Sequence, residues 1–221
     1  MSTETTTKAI AVKPIKLKTM YITIEGDSDL ILNKMTKTSQ LEIINDRTGK
    51  TGNKTKAPIN MYQQLVESIH WMDGDETNLT EEGWKDAITN NRVGYSASGI
   101  KKGICDAAVR VLGESKSTII NANIQVVPDK ADLVPIEFTG HAIDESIITG
   151  FKGTFLCYRN VFSGWSSTFK LTYRPDMFSA EQVIELVQAM GFAGGLGAHR
   201  VGLKGGTNGQ FHVVKACEVA A

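Results

Sequence analysis

The feature that most constrains this fold is the last part of the chain, where a strand, a capped helix, a glycine-rich stretch and another strand follow one another. The segment STFKLTY alternates apolar and polar residues, as a strand with one buried face does. SAEQVIELVQAMG has a capping box from Ser179 to Gln182, apolar residues at helical spacing and a terminating Gly191. QFHVVKACEV then returns as a strand. This order predicts a β-α-β unit.

The stretch that joins this helix to the last strand, GFAGGLGAHRVGLKGGTNG, is unusually rich in glycine. Glycine lets a backbone come close to a ligand, but it also makes flexible connectors. A phosphate-binding P-loop needs GxxxxGK[ST] between a strand and a helix. Here Leu203 separates Gly202 from Lys204 and the stretch follows a helix, so a nucleotide loop is not predicted. The loop glycines taken as candidates are Gly194, Gly195, Gly197, Gly202, Gly205, Gly206 and Gly209.

The preceding sequence predicts a mixture of strands and helices. IKLKTMYITIEG predicts a first strand, PINMYQQLVESIHWM a helix, and SASGIKKGICDAAVRVLG a second helix capped by Ser96 or Ser98. IINANIQVV, LVPIEF and SIITGFKGTFLCYRNV predict strands, the last with a bulge or bend at Gly150 and Gly153.

Together these elements predict an α+β fold with a ferredoxin-like core of the RNA-recognition type, which carries insertions. We expect an antiparallel sheet with helices on one face, in a single domain over residues 14–221. Residues 1–13 are rich in threonine without apolar periodicity, which predicts a flexible N-terminal arm.

The composition restricts the possible functions. The chain has 221 residues and a formal net charge of zero, so any nucleic-acid binding must be local. Its three cysteines are widely spaced and give neither a disulfide framework nor a metal signature. No apolar run reaches the length of a membrane span. We therefore predict an intracellular protein with no metal, no small-molecule cofactor and no membrane partner.

Local basic clusters are the candidate binding residues. DRTGKTGNKTKAP has almost no apolar residue and predicts an exposed basic loop around residues 45–57, although a solvated loop would have the same composition. Lys101 and Lys102 lie near a helix start, where the dipole disfavours cations unless an anion compensates. The candidate phosphate-binding cations are Lys34, Lys37, Arg47, Lys50, Lys54, Lys56, Lys101, Lys102, Arg159, Arg200 and Lys204.

Aromatic and histidine residues leave alternatives open. Tyr95, Tyr158, Phe162 and Trp165 either stack on bases or pack in the core. His199, beside Arg200, or His141, close to Asp144, could perform acid–base chemistry on RNA. No sequence pattern supplies a matched partner for either histidine, so no enzyme activity and no catalytic residue is predicted.

The order of three stretches resembles a family of tailed-phage proteins of unassigned function. These stretches are GDSDLILNKMTKTSQ, GYSASGIKKGICDAAVR and the segment from YRNVFSGW to the final FHV, and the resemblance covers most of residues 20–214. The positions that can be carried over are Gly195, Gly197, Gly209, Arg200 and Phe211. The glycine-rich loop after a helix also resembles that of the RAMP proteins, which include the Cas7 backbone subunits of CRISPR complexes.

The RAMP resemblance implies a modified RNA-recognition fold that polymerises along single-stranded nucleic acid. We therefore expect a phage protein in the cytoplasm of an infected bacterial host. It would bind single-stranded RNA or DNA without sequence preference and assemble into an oligomer or filament. Two alternatives stay open: a structural protein that assembles with itself or with a protein partner, and a RAMP-like endoribonuclease.

Overall fold

A computed structural model describes residues 14–48, 60–73, 80–90, 92–111, 113, 117–150 and 153–219. The predicted arm at 1–13 and the predicted cations Lys50, Lys54 and Lys56 lie outside these residues. The strands are β1 (Lys18–Gly26), β2 (Leu30–Leu32), β3 (His70–Trp71), β4 (Val93–Ser96), β5 (Ile124–Val127), β6 (Leu133–Ile136), β7 (Gly140–Gly150), β8 (Gly153–Ser163), β9 (Ser166–Tyr173) and β10 (Phe211–Glu218). The helices are α1 (Lys37–Arg47), α2 (Met61–Glu67), α3 (Glu81–Asn90), α4 (Ala97–Val111), α5 (Ser117–Asn123) and α6 (Ala180–Ala193).

The central sheet has the strand order β10-β1-β9-β5, with antiparallel neighbours throughout. Met20 in β1 pairs with Glu218 on one side and with Leu171 on the other. Because β9 and β10 are both antiparallel to β1, they run parallel to each other with β1 between them. This confirms the predicted β-α-β unit, in its split form, and the predicted α+β class. With α4 before β5 and α6 before β10, the connectivity is that of a ferredoxin-like core.

Helices α4 and α6 pack against each other and against the sheet strands next to them. Ile100 and Ile104 of α4 and Val183 and Val187 of α6 are buried in one cluster with the inward residues of the sheet. The predicted inward residues Phe169, Leu171 and Tyr173 are buried in that cluster. Val111, the last residue of α4, is exposed.

The ends of these two helices follow mostly from their caps. The Oγ atom of Ser96 accepts from Gly99 N at 2.9 Å, and the Ser179–Gln182 capping box is present. Gly191 does not end α6 as predicted, because the helix continues to Ala193 with Gly194 as its cap. A Cβ atom at Gly191 would lie 2.0 Å from the Phe211 carbonyl oxygen, so this glycine allows β10 to pack closely on the helix.

Two strand predictions were wrong. SIITGFKGTFLCYRNV is not one bent strand but parts of both arms of the hairpin β7–β8, in which Gly150 pairs with Gly153 beside the tip. The IINAN part of IINANIQVV forms α5, where the Asn123 side-chain amide donates to Ile119 O at 2.7 Å. This helix packs on α4, so tertiary packing prevails over the local alternation.

The remaining strands form two small sheets, with orders β2-β8-β7 and β3-β4-β6. Asn160 of β8 joins the helices α2 and α3 to the first of these sheets. Its Oδ1 accepts from Trp84 Nε1 of α3, and its Nδ2 donates to Leu65 O of α2. Asn160 is fully buried and hydrogen-bonded on both sides, so it fixes α2 and α3 against β8.

The predicted basic loop around residues 45–57 begins within a helix. Residues 45–47 form the end of α1, which is capped by Thr36, and no helix was predicted there. All eight side chains of α1 that the structure describes are exposed, Leu41, Ile43 and Ile44 among them.

Candidate nucleic-acid interface

A cleft of about 480 Å³ lies between the glycine-rich loop, β4 and the chain that follows β2. It brings together three predicted cations that are far apart in the sequence: Lys34, Arg159 and Arg200. Its described lining comprises Leu32, Asn33, Lys34, His70, Tyr95, Ser96, Arg159, Gly197, Ala198, His199, Arg200 and Leu203. No aspartate or glutamate is among these residues, although the chain as a whole carries equal numbers of acidic and basic side chains. The side chains that line the cleft are therefore basic, in a chain whose formal net charge is zero.

The glycine-rich loop forms one wall of the cleft and is held by the protein itself. Ala198 N donates to Ile31 O at 2.7 Å, Gly197 N donates to the Tyr95 hydroxyl at 3.2 Å, and Arg110 Nη1 donates to Gly202 O at 3.2 Å. The loop is therefore not an idle connector. It is a compact segment packed against β2, β4 and α4.

Most of the loop glycines are explained by this packing. A Cβ atom would lie 2.4 Å from Ile31 O at Gly197, 2.0 Å from Arg200 O at Gly206, and 1.9 Å from Leu196 O at Gly209. Gly205 has a φ of +75° and open space where a Cβ atom would stand. Four of the seven candidate glycines have positive φ, namely Gly195, Gly197, Gly205 and Gly209. They shape the wall of the cleft by allowing close contacts within the chain.

Arg200 and its neighbour His199 present polar groups at the cleft. Arg200 Nη1 donates to Gly197 O at 3.3 Å, which holds the half-buried side chain along the loop. His199 is exposed and has a φ of +50°, a left-handed conformation that is uncommon outside glycine. Within the described residues, the backbone N–H groups of His199 and Arg200 donate to no acceptor.

Arg159 is the buried cation of the cleft, with only 3% of its surface exposed. Its Nε atom lies 2.9 Å and its Nη2 atom 2.7 Å from Asp144 Oδ2, and Nη2 also contacts Ser146 Oγ. The carboxylate of Asp144 thus offsets its charge, and Asp144 is not among the lining residues. Arg159 contributes a fixed, desolvated donor and not a mobile surface charge.

The cleft also contains residues that the sequence did not single out for the site. His70 and Ser96 line it, and Ser96 was predicted only as a candidate helix cap. Tyr95, one of the four aromatics considered for stacking, lines it as well. The other three are placed differently: Phe162 and Trp165 are buried in the main core, and Tyr158 packs on a second cluster with Leu65, Val66 and Trp84. A base-stacking role for Phe162 and Trp165 was therefore a wrong alternative.

Lys101 and Lys102 line a second cleft of about 460 Å³ beside α4 and α5. Lys101 Nζ donates to Gln125 Oε1 and Lys102 Nζ to Asp106 Oδ2, each at 2.7 Å. The compensating anion of Lys102 is therefore within α4 itself. Between the two clefts, the Asp132 carboxylate accepts from the Ser96 and Ser98 hydroxyls at the start of α4. Burial raises the pKa of Asp132, but the hydrogen bonds from Ser96 and Ser98 lower it by more. The pKa of Asp132 therefore lies below its usual value.

The remaining predicted cations do not line the first cleft. Lys37 and Arg47 are exposed at the two ends of α1. Lys204 is exposed in the glycine-rich loop, next to Leu203 at the cleft wall. The eleven predicted cations thus divide into three at the cleft, two in the second cleft, three elsewhere on the surface and three outside the described residues.

The two histidines considered for catalysis lie in different environments. His141 Nε2 lies 3.1 Å from Asn160 Oδ1, and its ring packs against Trp84 and Phe162. Burial lowers the pKa of His141, while the hydrogen bond with Asn160 opposes the shift. Only His199 of the pair reaches the cleft. In the described part of the chain, no group of three or more His, Cys, Asp or Glu could hold a metal ion.

Comparisons with known proteins show a distant structural likeness. No protein-family model matches the chain, and no curated protein matches it in sequence. A chain in the cryo-EM structure of the Type III-B Cmr-beta complex bound to cognate target RNA is similar, with a TM-score of 0.49 and 13% identity. The match covers 92% of this chain and 61% of that chain, so this chain spans less than two thirds of the neighbour. Within the described residues, no helix is long and apolar enough to cross a membrane.

Proposed function

We propose that the protein binds single-stranded RNA or DNA through its phosphates, without sequence preference, in the cleft beside the glycine-rich loop. The observation that carries this proposal is the lining of the cleft, which has Lys34, Arg159 and Arg200 but no carboxylate. Cations and backbone N–H groups are the donors that bind phosphate in nucleic-acid complexes. Because phosphates repeat along every strand, such contacts position a strand but do not read its sequence.

The fold supports the same proposal at the level of architecture. The glycine-rich loop after α6 resembles that of RAMP proteins. This resemblance implies a modified RNA-recognition fold, and the ferredoxin-like connectivity agrees with such a fold. We propose a single RAMP-like domain over residues 14–221. The phage origin and the cytoplasm of an infected bacterial host remain predictions from the sequence resemblance alone.

A fluorescence-anisotropy titration with labelled single-stranded DNA and RNA at low salt tests the proposal. We expect binding that weakens steeply with salt, because phosphate contacts release counterions. Arg200→Ala should weaken binding of all sequences alike and reduce the salt slope by about one. The matched control is Lys215→Ala, which removes an exposed charge on β10 outside both clefts. Absence of binding at micromolar protein concentrations would contradict the proposal.

The second candidate function is self-assembly without nucleic acid, and one observation favours it. Leu41, Ile43 and Ile44 of α1 are exposed, and the helical spacing of Leu41 and Ile44 places these two on the same side of the helix. We propose that this side of α1 meets a second copy of the chain. Light scattering of nuclease-treated protein separates the two functions: assembly that persists without nucleic acid favours the structural candidate.

The endoribonuclease alternative rests on His199, because His199 lines the cleft and His141 does not. It predicts that His199→Ala abolishes cleavage of single-stranded RNA while leaving its binding intact. An absence of cleavage by the unsubstituted protein, at concentrations that bind RNA, eliminates this alternative.

A further inference from the structure

The geometry of Arg159 distinguishes this cleft from an ordinary basic surface. An exposed arginine adapts to whatever anion arrives, whereas Arg159 is 3% exposed and fixed on one edge by Asp144 and Ser146. That edge uses Nε and Nη2. A guanidinium carries donors on both edges, so the opposite edge is left for another acceptor.

The other amino group, Nη1 of Arg159, donates to none of the described residues. In the described part of the chain, however, no fully buried side-chain nitrogen or oxygen is without a hydrogen-bond partner. Nη1 must therefore reach accessible space, and Arg159 lines the cleft. An unpartnered charged donor on an otherwise buried side chain is costly unless an anion or water meets it.

Further donors converge on the same cleft from a different element. The Arg200 guanidinium uses one bond on Gly197 O and retains its other N–H groups. The backbone N–H groups of His199 and Arg200 donate to no described acceptor, next to a residue in the left-handed conformation. Successive free N–H groups in such a turn form anion-binding concavities. The site thus offers donors from β8 and from the loop.

These donors suit one kind of phosphate better than another. A phosphodiester within a strand has one negative charge and two free oxygens. A terminal monoester carries a charge of about −1.5 to −2 and has three acceptor oxygens. Charge-assisted hydrogen bonds are shorter than neutral ones and roughly twice as strong, so a group with more charge and more acceptor oxygens gains more from these donors.

Resting on the proposed function, we infer that the cleft preferentially binds a terminal phosphate monoester at the end of a single strand. Nη1 of Arg159 donates to one phosphate oxygen, and Arg200 with the loop N–H groups donates to the others. Tyr95 and His70 line the same cleft and face the adjoining nucleotide. The protein would then engage strand ends more tightly than strand interiors.

The test compares three internally labelled oligonucleotides of one sequence in the same anisotropy assay. They carry a 5′-phosphate, a 3′-phosphate or hydroxyls at both ends. We expect one of the two phosphorylated strands to bind about tenfold more tightly than the hydroxyl strand, the equivalent of one additional charge-assisted hydrogen bond. The better strand also identifies which end is recognised. Inorganic phosphate should compete with all three strands, because they bind in the same cleft.

Two variants link the preference to the cleft. Arg159→Lys keeps the charge but loses the second donor edge. It should reduce the ratio of the two dissociation constants, hydroxyl strand over phosphorylated strand, to about one. If Arg159→Lys fails to fold, Arg200→Gln tests the same end preference, and it should also reduce that preference. Lys215→Ala should retain the full preference.

The outcomes separate this inference from the proposed function. Equal and tight binding of all three strands by the unsubstituted protein overturns the end preference and leaves the proposed function standing. A preference that survives in both folded cleft variants overturns the assignment to Arg159 and Arg200. Failure of every strand to bind overturns both proposals.

Discussion

Contacts within the chain decide which positions of the glycine-rich loop have room for a side chain. Gly205 and Gly209 have almost the same positive φ, +75° and +68°, but different surroundings. A side chain at Gly205 would point into open space, whereas one at Gly209 would collide with Leu196. The pair therefore separates backbone strain from steric overlap.

We predict that Gly209→Ala destabilises the protein far more than Gly205→Ala. Both substitutions place alanine in the left-handed region, at about 1 to 2 kcal/mol. Only Gly209→Ala adds an overlap, of the Cβ atom with Leu196 O, which costs about 1 to 3 kcal/mol more. Urea denaturation of the two variants measures the difference. Equal free energies of unfolding would contradict the packing that we describe.

His141 should make the stability of the folded protein depend on pH. Burial holds the pKa of His141 below its usual value, so the folded protein keeps the ring neutral more strongly than the unfolded chain does. Its contribution to stability is therefore present above about pH 6.5, the pKa of an unperturbed histidine, and is lost as pH falls through the lower folded pKa. His141→Gln can still donate to Asn160 Oδ1 but does not titrate. We expect the unsubstituted protein to lose more stability than this variant between about pH 7.5 and about pH 5 in urea melts. Parallel losses would show that His141 is not the titrating group.

The composition of the site could be predicted only in part at this scale. Lys34, Arg159 and Arg200 could be selected because arginine and lysine are the residues that bind phosphate. Their meeting depends on long-range contacts, the pairing of Leu32 with Asn160 and the bridge between Ile31 and Ala198. No local pattern reports such contacts, which is also why His70 and Ser96 were missed.

Among the secondary-structure elements, those with two independent local signals were predicted with the correct type. The helix α6 has both apolar periodicity and a capping box, and β9 has strict alternation between turn residues. The segment of α5 and β5 has conflicting signals: Ile120 and Ile124 have helical spacing, whereas Ile124 and Val126 have strand spacing. The chain uses both and changes from helix to strand at Ile124. Periodicity alone cannot locate such a change.

The cap of α6 gives a prediction at this scale. Ser179→Ala removes the acceptor for Gln182 N and should cost about 1 kcal/mol of stability. Glu185→Ala, on the exposed side of the same helix, should change stability by less than about 0.5 kcal/mol. Thermal or urea unfolding of both variants gives the comparison, and a loss that is no larger for Ser179→Ala would mean that α6 is held by packing alone.

For the whole molecule, Leu41 and Ile44 give one side of α1 two exposed apolar side chains. We predict that the double substitution Leu41→Lys and Ile44→Lys reduces the oligomer size measured by light scattering after nuclease treatment. Hydrophobic surface drives association and added like charges oppose it. Phe192→Lys, at an exposed apolar position on α6, is the control and should leave the size unchanged. Identical sizes for all three proteins would remove α1 from the assembly surface.

The position of β1 in the central sheet also has a consequence for how this protein is made on the ribosome. β1 is the first strand of the core to be synthesised, yet both strands that flank it, β9 and β10, come from the last part of the chain. Its two edges therefore lack their native partners until almost the whole sequence has been translated. Unpaired edges invite pairing with other chains, and non-local pairs are slow to close. Nascent copies on one polysome are thus most exposed to misassembly through β1, and a chaperone that shields this strand would act before residue 211 emerges.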